Sequence, residues 1–211
     1  MFLLSLLKAC KKAGPVILVS LFLLLACGSQ KPDFVQMTGL TMGTSYHITA
    51  KLSATVKQEE IEAAITARLL DINQSMSTYI SDSEISLFNQ AQINQWQAVS
   101  DDFLQVLTVS RQVYEQSNAA FNPSIGPLVD LWGFGPKLSV ENFQQTPAAE
   151  LIAAKLLALD FTAIEQKSGK IQKRKAVRLD FSAVAKGFAV DALAELLQGF
   201  AVKDYMVEIG G

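Results

Sequence analysis

Residues 179–191 constrain the fold most strongly, because two kinds of hydrophobic periodicity meet in this stretch. Residues 175–179 alternate basic and apolar side chains, which predicts a half-buried strand. A chain that passes from a strand into a helix here belongs to the α/β or α+β class. The helix is predicted from apolar side chains at helical spacing, at Val190, Leu193, Leu196, Leu197 and Phe200.

Asp180 and Ser182 lie at this predicted junction, where the first amides of a helix have no partner within the helix. Such amides attract an acidic cap or a phosphate group. Lys186 and Asp191 follow within three turns, so both signs of charge are present. Two interpretations stay open, a ligand site or an N-cap beside a solvated lysine and a surface aspartate, because a motif this short does not separate them.

Residues 119–136 form a second distinctive stretch. Prolines at positions 123, 127 and 136 and glycines at 126, 133 and 135 exclude a long regular element. A loop this apolar either fills the core or lines a pocket for a flat aromatic ligand, and core filling is the commoner outcome. Its large apolar residues are Phe121, Leu128, Leu131, Trp132 and Phe134.

The N-terminus has the pattern of an export signal. Lys8, Lys11 and Lys12 precede an uncharged run that is shorter than the ~20 residues needed to cross a bilayer. The run ends in Leu-Leu-Ala-Cys27, which resembles a bacterial lipoprotein box, so we expect cleavage before Cys27 and a lipid on that cysteine. The alternative is an ordinary signal peptide with a chance cysteine. The predicted location is the periplasmic face of a bacterial membrane, inner or outer.

Cysteine usage and charge exclude several classes of function. The two cysteines, Cys10 and Cys27, fall in the predicted signal and at the predicted lipidation site. We therefore expect no disulfide, thiolate nucleophile or cysteine-ligated zinc in the mature domain. Without the three signal lysines the formal net charge falls from −2 to −5. An acidic domain without a basic block gives no support for nucleic-acid binding.

These patterns predict three parts: a signal peptide at residues 1–26, a polar tether at 27–37 and a folded domain at 38–211. The predicted helices are residues 56–73 behind a Thr55 cap, a short helix capped by Ser81, one opened by Ser100, and 147–159 behind a Thr146 cap. The predicted strands are residues 38–50 with a bend at Met42 and Gly43, 161–165 and 171–173 as a hairpin, 177–179, and a buried last strand from Tyr205.

Five segments in this order resemble the ApbE family of FAD:protein FMN transferases. They are Thr41-Met-Gly-Thr44, Met76-Ser-Thr-Tyr79 with Ser83-Glu84-Ile85 and Asn89, the run from Phe121 to Gly135, residues 179–191, and Glu208-Ile-Gly-Gly211. The resemblance implies an α/β (α+β) fold, an ApbE-like (T-fold-like) mixed sheet with flanking helices. Family members continue beyond the Glu-Ile-Gly-Gly segment, so we expect a C-terminally incomplete domain.

The resemblance also implies an FAD site. Met42 and Tyr79 would pack around the isoalloxazine or adenine rings, as a thioether and an aromatic face can. Asp180 would hold a polar edge or a ribose hydroxyl, Lys186 would neutralise phosphate, and the Ala183 carbonyl would be a magnesium ligand. A contact strip for the dinucleotide would be formed by Ala120, Phe121 and Asn122, the last at a position where family members commonly have aspartate.

The implied activity is magnesium-dependent transfer of FMN from FAD to a threonine or serine hydroxyl of a target protein, with release of AMP. The implied targets are respiratory or redox flavoprotein subunits. No catalytic residue is assigned, since His47, the only histidine, lies on a predicted strand where a structural role is commoner. A chain that ended at Gly211 would be impaired, and the alternative function is a non-catalytic, membrane-anchored FAD-binding lipoprotein.

Overall fold

The computed structural model describes residues 34–136 and 146–211, and the α/β (α+β) class is confirmed. Within these residues six strands form two antiparallel sheets of three strands each, accompanied by six α-helices. The strands are β1 (Phe34–Thr41), β2 (Thr44–Lys51), β3 (Gln97–Ala98), β4 (Ile164–Lys167), β5 (Lys170–Lys173) and β6 (Tyr205–Ile209). The helices are α1 (Gln58–Met76), α2 (Glu84–Gln90), α3 (Asp101–Gln116), α4 (Gly126–Leu131), α5 (Ala149–Leu157) and α6 (Ala185–Gly199).

The first sheet has the strand order β1-β2-β6. The predicted bend between β1 and β2 is confirmed, because Met42 and Gly43 have φ angles of 49° and 73° and join the strands as a tight two-residue turn. The inner face of this sheet belongs to the hydrophobic core, to which α1 and α6 contribute their apolar faces. The buried residues of β1 and β2 include Met37, Ile48 and Ala50.

The second sheet has the order β3-β5-β4, and its hairpin is also as predicted. Ser168 and Gly169 form the turn with φ angles of 50° and 75°. The prediction of a strand from residue 161 is wrong at its start, because Phe161–Ala163 forms one turn of 3₁₀ helix before β4. The ring of Phe161 lies 5.3 Å from that of Tyr114 on α3, centroid to centroid, and this packing holds the turn against the helix.

One predicted helix cap is confirmed and a second is displaced by two residues. Ser100 caps α3 as predicted and accepts a hydrogen bond from Phe103 N at 3.2 Å. The short helix α2 is capped by Ser83 rather than Ser81, since the Ser83 hydroxyl accepts from Ser86 N at 3.2 Å. Two residues of the same chemistry stand close together there, and the one followed by the helix takes the role.

The other two predicted caps are also wrong. Helix α1 begins after Lys57 without a side-chain cap, and the Thr55 hydroxyl instead hydrogen-bonds the Ser53 hydroxyl at 3.0 Å. Helix α5 begins at Ala149 behind Ala148, so Thr146 lies two residues too early to cap it. The periodicities were therefore sufficient to locate these helices, while their first residues depend on the path of the preceding loop.

Three strand predictions need correction. Residues 175–179 form no strand, and Arg178 makes a single parallel bridge to Ile125. The last strand, β6, is half-buried rather than buried; only β2 pairs with it among the described residues. Strand β1 begins at Phe34, where Phe34 pairs with Lys51, so residues 34–37 of the predicted tether belong to the sheet.

The predicted signal peptide, Cys27 and the tether up to residue 33 lie outside the described residues. In the part of the chain that the structure describes, no helix is both long and apolar enough to cross a bilayer.

Candidate functional site

The proline-rich loop lies directly beside the segment that ends in Asp180. The Asp180 amide donates to the carbonyl oxygen of Pro123 at 2.9 Å, and Ile125 bridges Arg178 in parallel. A Cβ at Gly126 would lie 3.0 Å from the Arg178 carbonyl oxygen, so the close approach requires glycine there. The structure therefore brings together two of the segments on which the family resemblance depends.

Local side-chain bonds shape the start of this loop. The φ angles of Asn118 and Ala119, 51° and 65°, end α3 in the left-handed region, close to the predicted stop. The Asn122 carboxamide oxygen accepts from Ser124 N at 3.0 Å and from the Ser124 hydroxyl at 2.7 Å. Asn122 thus closes a turn in the loop, which is what an asparagine side chain does well.

The loop buries one of its large apolar side chains and leaves others exposed. Leu128 on α4 is buried, and α4 has six residues, so the exclusion of a long regular element is confirmed. Phe121 is half-buried and Ala120 is exposed. At the other end of the loop the Tyr79 hydroxyl donates to the Phe134 carbonyl oxygen at 2.7 Å, and the two residues are each 58% exposed. The Tyr79 side chain therefore contacts the backbone at one end of the loop, beside a second exposed aromatic residue.

Asp180 is buried beside the loop, and both its side chain and its amide are hydrogen-bonded. It is 8% exposed, and its Oδ1 accepts from Ser182 N at 2.8 Å. The next residue, Phe181, is fully buried with its ring 5.1 Å from that of Phe103. Residues 182–184 then form a turn before α6 starts at Ala185, so Asp180 precedes the helix by more than the one position that an N-cap requires.

Lys186 lies in the first turn of α6 and is exposed. Its aliphatic stem passes over Gly210, where an added Cβ would lie 3.4 Å from Lys186 Cδ and 3.4 Å from Thr44 Cγ2. Thr44 follows the turn that carries Met42, whose side chain is partly buried against the core. Within residues 34–136 and 146–211 Lys186 forms no ion pair, so its ammonium group is available for a negatively charged ligand.

The donor set for a metal ion is sparse in the described residues. Ala183 is exposed in the turn before α6 and offers one backbone carbonyl. No group of three or more histidine, cysteine, aspartate or glutamate residues that could hold a metal is present in the described part of the chain. Magnesium prefers several oxygen ligands in octahedral geometry, so these residues alone do not fit it.

Two residues behind the site were missed as functional candidates. The sequence marks Asn89 only as part of a motif. Its carboxamide bonds both backbone groups of Leu179, donating to the carbonyl at 2.8 Å and accepting from the amide at 2.7 Å. Lys173 carried no signal at all, because basic residues at strand ends are usually solvated. Here it is 4% exposed, and burial, with a smaller effect of Arg178, lowers the pKa of its ammonium group below 10.5.

The predicted ligand-binding residues thus fall into two neighbouring groups. Phe121, Asn122 and Asp180 are joined through the loop, with Tyr79 bonded to the far end of that loop. Lys186 and Thr44, which follows the turn that carries Met42, both approach Gly210. Together they define an α+β protein with a candidate site for a planar ligand that carries negative charge.

Residues 42–211 match the model of the ApbE family, and the chain belongs to this family. It is 37% identical over 207 residues to the FAD:protein FMN transferase of Haemophilus influenzae, covering 95% of this chain and 60% of that protein. It is 34% identical over 192 residues to the protein of the same name from Vibrio cholerae, covering 90% of this chain and 57% of that protein.

Solved structures agree. The flavin transferase ApbE from Vibrio cholerae superposes with a TM-score of 0.80 at 32% identity, over 85% of this chain and 58% of that one. The apo form of the flavinyl transferase ApbE from Pseudomonas stutzeri gives a TM-score of 0.78 at 29% identity, over 85% and 60%. The ApbE-like fold predicted from the motifs is confirmed, and the chain spans about three fifths of the length of these relatives.

Proposed function

We propose that this chain forms the FAD-binding part of an FAD:protein FMN transferase. The observation that carries the proposal is the bond from the Asp180 amide to the Pro123 carbonyl, which joins the aromatic loop to the acidic junction before α6. The family membership and the names of its relatives support the same activity.

Each group at the site has a distinct role in this proposal. The aromatic faces of Tyr79 and Phe121 and the thioether of Met42 contact the ring systems of FAD. The Asp180 carboxylate accepts a hydrogen bond from a ribose hydroxyl or a ring N–H. The Lys186 ammonium group lies against the pyrophosphate, where its charge offsets that of the phosphates. Ala120 and Asn122 line the dinucleotide beside Phe121.

The proposed reaction transfers the FMN part of FAD to a hydroxyl of the acceptor protein. A threonine or serine hydroxyl of the acceptor protein attacks the phosphorus on the flavin side, and a P–O bond to FMN forms. The bond from that phosphorus to the bridging oxygen breaks, AMP leaves with the oxygen, and the hydroxyl proton is lost to solvent. Lys186 stabilises the negative charge that grows on the pyrophosphate oxygens. The proposed acceptors are respiratory or redox flavoprotein subunits.

Magnesium is proposed only because the family resemblance implies it. The one backbone carbonyl at Ala183 needs further oxygen ligands that the described residues do not bring to it. No step above therefore passes through a metal ion. Transfer assays with and without Mg²⁺, compared with FAD binding in EDTA, separate a metal needed for chemistry from one needed for binding.

Membrane anchoring is proposed from the sequence pattern around Cys27. In this proposal the signal is cleaved, Cys27 carries lipid, and the domain works on the periplasmic face of a bacterial membrane. Metabolic labelling with a radioactive fatty acid tests this proposal. The wild type is expected to be labelled and to sediment with membranes, and Cys27→Ala is expected to lose the label. Label on the Cys27→Ala chain would contradict the assignment.

Covalent transfer tests the function itself. The full chain is incubated with FAD, Mg²⁺ and a protein acceptor that carries a threonine-containing target segment, and flavin fluorescence is read on the denatured acceptor. We expect fluorescence on the acceptor but none on its Thr→Ala form. Lys186→Met should reduce the yield, while Lys170→Met, an exposed lysine at the β4–β5 hairpin, should not. No covalent flavin on the wild-type acceptor would contradict transfer.

A second candidate function is a membrane-anchored protein that binds FAD without turning it over, since Tyr79, Asp180 and Lys186 need no metal to contact the ligand. It predicts saturable FAD binding together with the absence of covalent flavin on any acceptor. The two assays therefore assign the chain to one function or the other.

A further inference from the structure

A buried lysine lies behind the candidate site without a carboxylate partner. The Lys173 ammonium group at the end of β5 donates to the Asn89 carbonyl at 2.9 Å and faces the Val177 carbonyl at 3.4 Å. It also lies 5.4 Å from the centre of the Phe88 ring. Among the described residues Lys173 forms no ion pair. A buried cation without an acid is costly, so its retention needs a reason other than stability.

Asn89 connects Lys173 to the backbone of Leu179. Asn89 is on α2, and its carboxamide bonds the Leu179 amide and carbonyl in both directions, at 2.7 and 2.8 Å. Leu179 itself is fully buried. Asn89 therefore substitutes for a neighbouring strand, because it satisfies the two backbone groups that a strand partner would satisfy.

Asp180 is the next residue along, and the bond to Pro123 holds it from the other side. A continuous series of bonds thus runs from Lys173 through Asn89 and Leu179 to Asp180 and the loop. These contacts join residues about 90 positions apart in the chain, and they fix the backbone directly before the Asp180 side chain. The lowered pKa of Lys173 agrees with an ammonium group that is held in a desolvated position.

We propose that Lys173 and Asn89 are positioning residues that hold Asp180 in place for FAD. The inference rests on the proposed function for the role of Asp180, while the positioning itself is a property of the protein without ligand. Neither residue contacts the ligand in this proposal. Lys173 acts through Asn89, and Asn89 acts through the backbone of Leu179.

Hydrogen exchange of the full chain tests the positioning without FAD. The measured peptide covers residues 177–184, in which the Leu179, Asp180 and Ser182 amides are each hydrogen-bonded. The variants are Lys173→Met, which removes the ammonium group, and Asn89→Asp, which keeps the acceptor and removes the donor. The control is Ile61→Val, which trims a fully buried residue of α1. A peptide from β2 serves as the internal reference.

We expect exchange in the 177–184 peptide to be about tenfold faster in both variants, with the β2 peptide unchanged. Lys173→Met should melt within about 4 °C of the wild type, because the lost bonds are offset by removal of a buried charge. In Ile61→Val the exchange rates of both peptides should change by the same factor. Unchanged exchange at residues 177–184 in either variant, or an equal acceleration of the β2 peptide in those variants, would overturn the inference.

FAD titration of the same samples separates this inference from the proposed function. We expect the dissociation constant for FAD to rise about tenfold in Lys173→Met and Asn89→Asp and to stay within twofold in Ile61→Val. A loosened 177–184 segment with an unchanged dissociation constant would overturn the role in FAD binding. A loosened segment in a protein whose wild type binds no FAD would support the positioning and contradict the proposed function.

Discussion

The Asp180 amide donates to the Pro123 carbonyl at 2.9 Å, and this bond joins two segments that lie 57 positions apart in the sequence. Because of it the acidic residue before α6 lies directly beside the aromatic loop. The candidate site therefore depends on a long-range contact.

Replacing Asp180 should weaken FAD binding more than it affects stability. Asp180→Asn keeps an oxygen for the bond from Ser182 N but removes the charge, so the dissociation constant for FAD should rise about tenfold. The control is Asp191→Asn, an exposed aspartate on α6, which should stay within twofold of the wild type. Titration of FAD fluorescence measures both. Equal effects of the two variants would remove Asp180 from the proposed site.

A matched pair of glycines tests the contact between the loop and Arg178. In Gly126→Ala the new Cβ would lie 3.0 Å from the Arg178 carbonyl oxygen and 3.2 Å from its Cβ, so the loop must shift. We expect a loss of about 1–3 kcal/mol in the free energy of unfolding. Gly187→Ala on α6 meets nothing within 4 Å, so it should raise that free energy by about 0.5–1 kcal/mol. Denaturant unfolding measures both, and the same sign for the two variants would contradict this geometry.

The Glu84 carboxylate ties three helices together. It accepts from Ser100 N, from the Ser100 hydroxyl and from the Ser75 hydroxyl, each at 2.7 Å. Glu84→Gln has one acceptor oxygen instead of two and no charge, so the free energy of unfolding should fall by about 1–3 kcal/mol. Glu115→Gln, at an exposed position of α3, should change it by less than about 0.5 kcal/mol. Similar values for the two would show that the network is not needed for stability.

Burial of Lys173 predicts a specific pH dependence. Its pKa in the folded protein is lowered below the ordinary value of 10.5, so between the two values the unfolded chain binds more protons at this site than the folded chain. The contribution of Lys173 to stability therefore rises with pH through that interval. As pH approaches 10.5, the unfolding free energy of the wild type should rise relative to that of Lys173→Met. A difference that is constant with pH would contradict a lowered pKa.

The Ser110 hydroxyl is the one buried side-chain polar atom without a hydrogen-bond partner among the described residues. Ser110→Ala removes that unpaired group and should raise the free energy of unfolding by about 0.5–1 kcal/mol. Thermal unfolding of the variant measures the change. A loss of stability would show that Ser110 does have a partner in solution, such as a buried water molecule.

Local patterns were sufficient for much of this fold. The apolar stripe of α1 and the Ser100 cap of α3 are readable within a few residues, and so are the two tight turns at Gly43 and Gly169. The strand prediction for residues 175–179 is wrong, because Arg178 makes a single bridge to Ile125 and the Leu179 backbone is paired by a side chain. Asn89 is that side chain, and it lies 90 positions from Leu179.

The candidate site was predictable from the motifs only as a set of residues. That the loop with Phe121 and Asn122 lies beside Asp180 follows from the Pro123 bond, which no local pattern predicts. The burial of Lys173 could not be predicted from the sequence, because it depends on α2 and on the segment after β5. The roles of Met42, Tyr79, Ala120, Lys186 and Ala183 toward FAD and magnesium remain predictions, as does lipid on Cys27.

Equilibrium binding of FAD to the full wild-type chain tests the central claim most directly. The ADP part of FAD meets Lys186 and the flavin part meets the aromatic loop in this account. We therefore predict saturable quenching of FAD fluorescence with a 1:1 stoichiometry, and weaker binding of riboflavin, which lacks the phosphates. No saturable change in FAD fluorescence or anisotropy with the folded chain, or equal affinity for riboflavin and FAD, would contradict the account.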